Sequence, residues 1–319
     1  MELNKMSFSH AYSHANQHTI NLIIGRKFSG KDTVLTQQIL DRNPKQSVVL
    51  KLATPIKETC FALFSEQPNI KEIADIDAIK IKEKPLTFDY HSFVEKTANK
   101  AITLLACGMM IPTTELFKFS DEMKTPVENR VKDVFATFRN ENNKDELIIS
   151  SRQFQQYFGT EICRHFFDDV FINLLCIKIE TLFANQASDA ITNVVVSDTR
   201  FENEINKIYS FFKEQTLNNN IKINVLFLFR ELKDESDKYI SFNSKRDEHV
   251  SEKLSQDLEQ VVLDCLNAKP RYAKEACYRQ AKWQIFQDNL LQCDLSQPVL
   301  VAALEHDFKI VPVEWKTKI

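Results

Sequence analysis

The sequence is short of the residues that make tight turns and long apolar spans. It holds only four glycines and nine prolines in 319 residues, so packed helices are favoured over a turn-rich β architecture. Its seven cysteines are odd in number, and no two stand as Cys-x-x-Cys. That argues against a disulfide scaffold and for reduced thiols. No apolar run reaches the roughly 20 residues that a spanning helix needs, and no signal-peptide core opens the chain. A soluble cytoplasmic protein is the expectation. Basic charge is not in excess either. Lys and Arg number 41 against 44 Asp and Glu, a net charge of −3, which points away from nucleic acid or an anionic membrane as partner. What is present is an apolar fraction of 43% and 24 phenylalanines, enough for a sizeable core.

Two of the four glycines stand together with a purpose. The run Ile20-Asn21-Leu22-Ile23-Ile24-Gly25-Arg26-Lys27-Phe28-Ser29-Gly30-Lys31-Asp32-Thr33 places an apolar strand before a glycine-bounded loop and a helix-compatible stretch after it. This is the arrangement of a phosphate-binding loop. Glycine lets backbone N–H groups close on phosphate oxygens without a Cβ in the way. Lys31 then reaches the outer phosphates, and the helix N-terminus adds partial positive charge. Asp32 stands where Ser or Thr usually touches magnesium, with Thr33 one residue later. Asp32 through water, or Thr33 directly, are both open as ligands.

Along the chain, strands alternate with helices. Residues 1–18 are polar and read as a flexible N-terminal arm. His10, His14 and His18 recur every four residues there. A helix would align them as a metal site, but a solvated tail is preferred because no acidic or Cys partner lies nearby. Strands are expected at 20–24, 47–52, 193–197 and 223–229, with a last strand pair at 299–303 and 309–313. Helices are expected from Gly30 to about Leu40, from Thr54-Pro55, over 91–107, over 151–186 with an interruption at Gly159, and over 202–215. Residues 67–90 look loop-rich. Residues 108–150, with Pro112 and Pro126, look like an insertion carrying one or two helices. The β-branched runs suit strands buried on both faces, and the alternation argues for an α/β fold with a doubly wound parallel sheet.

Further residues carry chemistry. Val194-Val195-Val196-Ser197-Asp198-Thr199-Arg200 puts an acid at the C-terminal end of a buried strand, where ligands bind in open α/β sheets. Asp198 can orient magnesium or its water shell, and Arg200 can clamp a phosphate with its planar fork. The structural alternative is Asp198 capping the following helix and Arg200 in a surface pair. In 152–164, Arg152 and Gln156 share a helical face, Gly159 can bring backbone close to a ligand, and Arg164 adds a cation. The alternative there is an ordinary amphipathic helix. Arg230, Lys245 and Arg246 lie between a strand and a helix, where mobile cations can close over transferring phosphates; a charged surface loop is the alternative.

Taken together these segments resemble the phage-type deoxynucleoside monophosphate kinases. The resemblance rests on the loop Gly25-x-Lys27-x-Ser29-Gly30-Lys31-Asp32-Thr33, on Ala53-x-Pro55-x-Lys57, on Arg152-x3-Gln156-x2-Gly159-Thr160-Glu161-x2-Arg164, on Asp198-x-Arg200-Phe201-x-Asn203-Glu204, and on Asp247-x-His249-x-Ser251-Glu252. It covers roughly 20–60 and 150–255. The spelling Ser-Asp-Thr-Arg at 197–200 and the Ser-Gly-Lys-Asp loop are also similar to animal-type phosphomevalonate kinases.

The resemblance implies a P-loop kinase domain over 19–319, with helices on both faces of the sheet and long helical insertions at about 65–150 and 256–295. It implies transfer of the ATP γ-phosphoryl group to a deoxynucleoside monophosphate. Gly25, Lys27, Ser29, Gly30, Lys31, Asp32 and Thr33 would hold ATP. Lys57, Arg152, Gln156, Gly159, Thr160, Arg164 and Asp198 would hold the acceptor. Lys31, Arg200, Arg230 and Arg246 would serve catalysis, and Asp32, Thr33 and Asp198 would serve Mg²⁺. The alternatives are a phosphomevalonate kinase-like enzyme and a non-catalytic nucleotide-binding protein. The sequence leaves the oligomeric state open, with a homodimer allowed.

Overall fold

The apolar run ahead of Gly25 becomes the middle of a sheet. The computed structural model describes residues 18–25, 36–42, 44–65, 67, 70–73, 76, 82–184, 191–218, 220–230, 253–267, 284–285 and 308–314. Two compact units emerge, one from Met1–Lys51 with Lys178–Ile319, the other from Leu52–Ile177.

In the first unit, β1 (His18–Gly25), β2 (Ser47–Leu50), β5 (Asn193–Val196) and β6 (Ile221–Arg230) are parallel and lie in the order β2-β5-β1-β6. The sheet continues into β8 (Phe308–Glu314) and β7 (Gln284–Ile285), both pairs antiparallel. Ile20, Leu22, Ile23, Ile24 and Val194–Val196 are fully buried. Consecutive buried residues mean that both faces are covered, as parallel sheets require. Each such side chain contributes about 1.5–3 kcal/mol by leaving water. On one face Ile39 of helix α1 (Gln37–Arg42) packs with Ile23, Val195, Leu226 and Leu228.

A side-chain ladder crosses all four parallel strands. Asn224 donates to Asn21 (2.9 Å), Asn21 to Asn193 (2.7 Å) and Asn193 to the Ser47 hydroxyl (2.9 Å). A slip of register would strand these half-buried amides without partners, so the ladder fixes alignment.

The second unit is built on phenylalanine. It contains α2 (Thr54–Phe64), β3 (Leu86–Asp89), α3 (Tyr90–Gly108), α4 (Leu116–Phe135), β4 (Glu146–Ile149) and α5 (Ser151–Tyr157). Helix α7 (Val170–Phe183) begins in this unit and ends in the other. Strands β3 and β4 form a separate antiparallel pair. Phe64, Phe88, Phe93, Phe135, Phe154, Phe158 and Phe171 share one core, with Phe93–Phe154 at 5.7 Å and Phe154–Phe158 at 5.1 Å between ring centroids. Such ring pairs add about 0.5–1.5 kcal/mol each beyond burial.

Several expectations are corrected. Residues 67–90 and 108–150 each contain a strand, β3 and β4, which at four residues each were too short to stand out. The helical content expected in 108–150 is there as α4, which runs through Pro126. Val127, Val131 and Phe135 recur every four residues and are fully buried, and that stripe outweighs the single backbone bond that proline removes. His18 is the first residue of β1, stacked on Phe183 at 4.3 Å. It does not belong to a helix with His10 and His14, which lie outside the described residues. The expected strand at 299–303 also lies outside them.

The two remaining glycines serve packing. A Cβ on Gly108 would meet Val170 Cγ2 at 2.7 Å and the Val170 carbonyl at 2.9 Å, and the Gly108 carbonyl accepts from Asn173 at 2.9 Å. Gly159 is buried, and a Cβ there would lie 2.8 Å from Ile56 Cδ1.

Candidate active site

In the first unit the chain leaves β1 for β2 on one side and leaves β5 for β6 on the other. Adjacent strands whose connections depart in opposite directions open a crevice at their carboxyl ends, and ligands bind there in open α/β sheets. Gly25 ends β1 and Ser197-Asp198 follow β5, so two sequence motifs meet at this edge.

The turn after β5 is held by an unexpected residue. Glu204 is 2% exposed, and its Oε2 accepts from Arg200 N at 2.8 Å and Phe201 N at 3.1 Å. It thereby closes the N-terminus of α8 (Glu202–Phe211), the job that the structural alternative gave to Asp198. Asp198 is half-buried and Arg200 exposed; the Arg200 guanidinium pairs with no described side chain. On either side of Asp198, the Ser197 and Thr199 hydroxyls are buried and have no hydrogen-bond partner among the described residues. An unpaired buried hydroxyl costs about 1–3 kcal/mol, and such a group signals strain held for a function or a missing ligand.

In the second unit, Ser150 starts α5. Its hydroxyl accepts from Gln153 N at 3.3 Å while Gln153 Oε1 accepts from Ser150 N at 3.0 Å, a reciprocal cap. This fixes the turn that carries Arg152. The helix does not stop at Gly159, as the interruption in the sequence pattern suggested. It widens into a π-helical turn, Phe158–Cys163, and resumes as α6 (Arg164–Phe166). Such turns concentrate at functional sites.

The π turn has a geometric consequence. In an unbroken α-helix, Arg164 would stand about 120° around the axis from Arg152, on a different face. One π turn takes up one extra residue and cuts that angle to about 20°. Gln156 is about 40° from Arg152. Arg152, Gln156 and Arg164 thus share one face because of the π turn.

The individual environments follow. Arg152 Nη1 meets Glu83 Oε1 at 2.6 Å. Gln156 is exposed, and its main-chain carbonyl accepts from the Thr160 hydroxyl at 2.7 Å. The Arg164 guanidinium lies 6.0 Å from the centre of the Phe171 ring. Lys57 is half-buried in the first turns of α2, next to the Ile56 that covers Gly159. That contact joins the 53–57 motif to the 152–164 motif, and it shows why residue 159 has no side chain. Ile56 fills the space that a side chain at 159 would take. Glu83 and Arg130 were missed as supporting residues, because their partners lie 69 and 31 positions away; Glu204 stood in the 198–204 motif, but its part as the cap was not read.

Lys27, Ser29, Gly30, Lys31, Asp32, Thr33, Arg246 and the 247–252 motif lie outside the described residues. Arg230 is the last residue of β6, opposite Phe308 of β8. Among the described residues there is no cluster of three metal-ligating side chains, and no helix is long and apolar enough to cross a membrane.

A family model described as deoxynucleotide monophosphate kinase matches residues 19–253. The chain belongs to that family. The matched span begins in β1 and ends just after Glu252, so it takes in all five motifs. It also runs through 65–150, which the motifs alone had left outside the resemblance. No curated protein matches the chain. As a deoxynucleotide monophosphate kinase the protein is an ATP-dependent phosphotransferase acting on small nucleotides, and the parallel sheet flanked by helices is the matching fold. Nothing in the fold or the family match favours the phosphomevalonate kinase-like or non-catalytic alternatives.

Proposed function

We propose that this deoxynucleotide kinase binds its acceptor on the face shared by Arg152, Gln156 and Arg164. The observation that carries the reading is the π turn, which aligns two cations and an amide that an ordinary helix would scatter. Two guanidinium groups suit the dianionic phosphate of a deoxynucleoside monophosphate, and the Gln156 amide suits a base edge. Lys57 and Thr160 border the same elements.

ATP belongs at the carboxyl edge of β1 and β5. The Gly25–Thr33 loop holds its phosphates, with Lys31 on the outer ones. The nucleophile is an acceptor phosphate oxygen that is already anionic, so no strong general base is needed, and catalysis rests on positioning and charge neutralisation. Arg200 neutralises charge on the transferring group, and Arg230 and Arg246 close over it. The bond from the γ-phosphorus to the β,γ-bridging oxygen breaks as a bond to the acceptor oxygen forms, giving the nucleoside diphosphate and ADP.

The residues beside β5 fit magnesium. Asp198 offers a carboxylate, and the Ser197 and Thr199 hydroxyls are unpaired oxygen donors, the hard ligand chemistry that the ion prefers. Asp32 or Thr33 would complete the set. Bound there, the ion would screen the charge of the ATP phosphates. We also propose that the protein works in the cytoplasm.

The test is steady-state kinetics of Arg152→Met and Gln156→Ala with a panel of deoxynucleoside monophosphates. Loss of one charged hydrogen bond should raise the acceptor KM about 10–100-fold, with ATP KM nearly unchanged. A raised ATP KM with unaltered acceptor kinetics would reject the assignment.

A further inference from the structure

Helix α4 carries none of the signature motifs, yet one of its side chains reaches the π turn. Arg130 Nε donates to the Glu161 main-chain carbonyl at 2.7 Å, and its Nη2 donates to Glu161 Oε2 at 3.0 Å. One rigid fork grips the backbone and the side chain of a single residue. The Arg130 side chain is 28% exposed and that of Glu161 50%, so the charge pair alone contributes little and the hold rests on two directed bonds to one residue. The same helix is seated by Phe135, stacked on Phe154 of α5 at 6.1 Å. Just beyond it, Phe138 meets Tyr157 edge-on at 5.1 Å. The Arg130 fork thus grips the segment that widens, and the two ring contacts seat the α4 end and the turn after it against α5 just before that segment.

A π turn has a competitor close by. Shifting the backbone ladder by one residue restores an α-helix and swings everything beyond it by about 100°. For Arg164 that swing would undo its alignment with Arg152 and Gln156. A grip on the Glu161 carbonyl, in the middle of the turn, opposes that shift.

We propose that Arg130 is a positioning residue of the acceptor site. It touches neither nucleotide. It holds the π turn in place and so keeps Arg164 on the acceptor-binding face. The inference rests on the assignment of Arg152, Gln156 and Arg164 to the acceptor, and its test separates the two.

The experiment compares Arg130→Met, Arg130→Lys, Arg164→Met and the Arg130→Met/Arg164→Met double variant, with acceptor and ATP kinetics and thermal melting for each. Arg164→Met should raise the acceptor KM about 10–100-fold. Arg130→Met should raise it by a similar factor with ATP KM unmoved. Lysine restores one of the two donors, so Arg130→Lys should recover part of the loss. The double variant should be no worse than about twice the larger single effect, since both act through one contact. If Arg130→Met does not fold, the Lys variant carries the comparison. Fully multiplicative effects, or a loss that follows melting temperature and affects both KM values alike, would overturn the proposal. An unchanged acceptor KM in Arg164→Met would instead reject the acceptor assignment itself.

Discussion

Replacing Glu204 by alanine tests whether the turn after β5 is built as described. Its carboxylate is 2% exposed and accepts from two backbone N–H groups, Arg200 at 2.8 Å and Phe201 at 3.1 Å. A hydrogen bond to a charged group contributes about 1.5–3 kcal/mol. Arg200 is exposed, so water can partly replace its lost partner, and the sum falls toward the lower end, at about 2–4 kcal/mol. For a unit of this size that corresponds to a fall in Tm of about 5–12 °C. Glutamine keeps an oxygen acceptor without the charge, so Glu204→Gln should lose about half as much. The turn carries Asp198 and Arg200, so kcat of Glu204→Ala should fall at least about tenfold below its melting range, a modest loss of transition-state stabilisation. Thermal melting and initial-rate assays of the two variants settle the matter. If Glu204→Ala melted with the wild type and turned over normally, the cap would contribute nothing, and the account of this turn would be wrong.

The two packing glycines should respond differently. Gly108→Ala drives a Cβ against the Val170 backbone and should cost about 1–3 kcal/mol after the gain in helix propensity is counted. Gly159→Ala meets only the end of the Ile56 side chain, so its melting temperature should stay close to wild type; equal losses would refute the distinction. His18 supplies a pH signature. Burial lowers its pKa from the usual 6.5, so the unfolded chain takes up the proton first as pH falls. Its contribution is complete above 6.5 and is lost as pH falls toward the lowered value. Melting between about pH 7.5 and 5.5 should therefore drop further in wild type than in His18→Phe, which keeps the ring stack without the titration; parallel curves would contradict this.

How much of this was legible in the sequence depends on the range of the interactions. Ile20–Ile24, interrupted only by Asn21, and Val194–Val196 announced themselves as buried strands because apolar runs are a local signal. Thr54-Pro55 announced a helix start for the same reason. The asparagine ladder was invisible, since Asn21, Asn193 and Asn224 look like ordinary polar residues until strand order aligns them. Gly108 had no local explanation, and its reason lies 62 positions away at Val170. The π turn was half-legible. Gly159 marked a disturbance in the helix, but widening and breaking look alike in a pattern of apolar residues. At the site, the carboxyl end of β5 was readable from the switch of an apolar run to Ser-Asp-Thr-Arg. Glu204 was visible as a member of that motif but not as its cap, and Arg130 was not visible at all, because its partner Glu161 lies 31 positions away.

The central claim is that the Gly25–Thr33 loop holds ATP for transfer to a deoxynucleoside monophosphate, with Lys31 on the transferring charge. The most direct measurement is acceptor-dependent ADP release by wild type and Lys31→Ala, with melting temperature as control. The account predicts that the variant folds and loses about 100-fold or more of its turnover, the order expected when one charge-stabilising group is removed. Near wild-type turnover in a folded Lys31→Ala protein would contradict it.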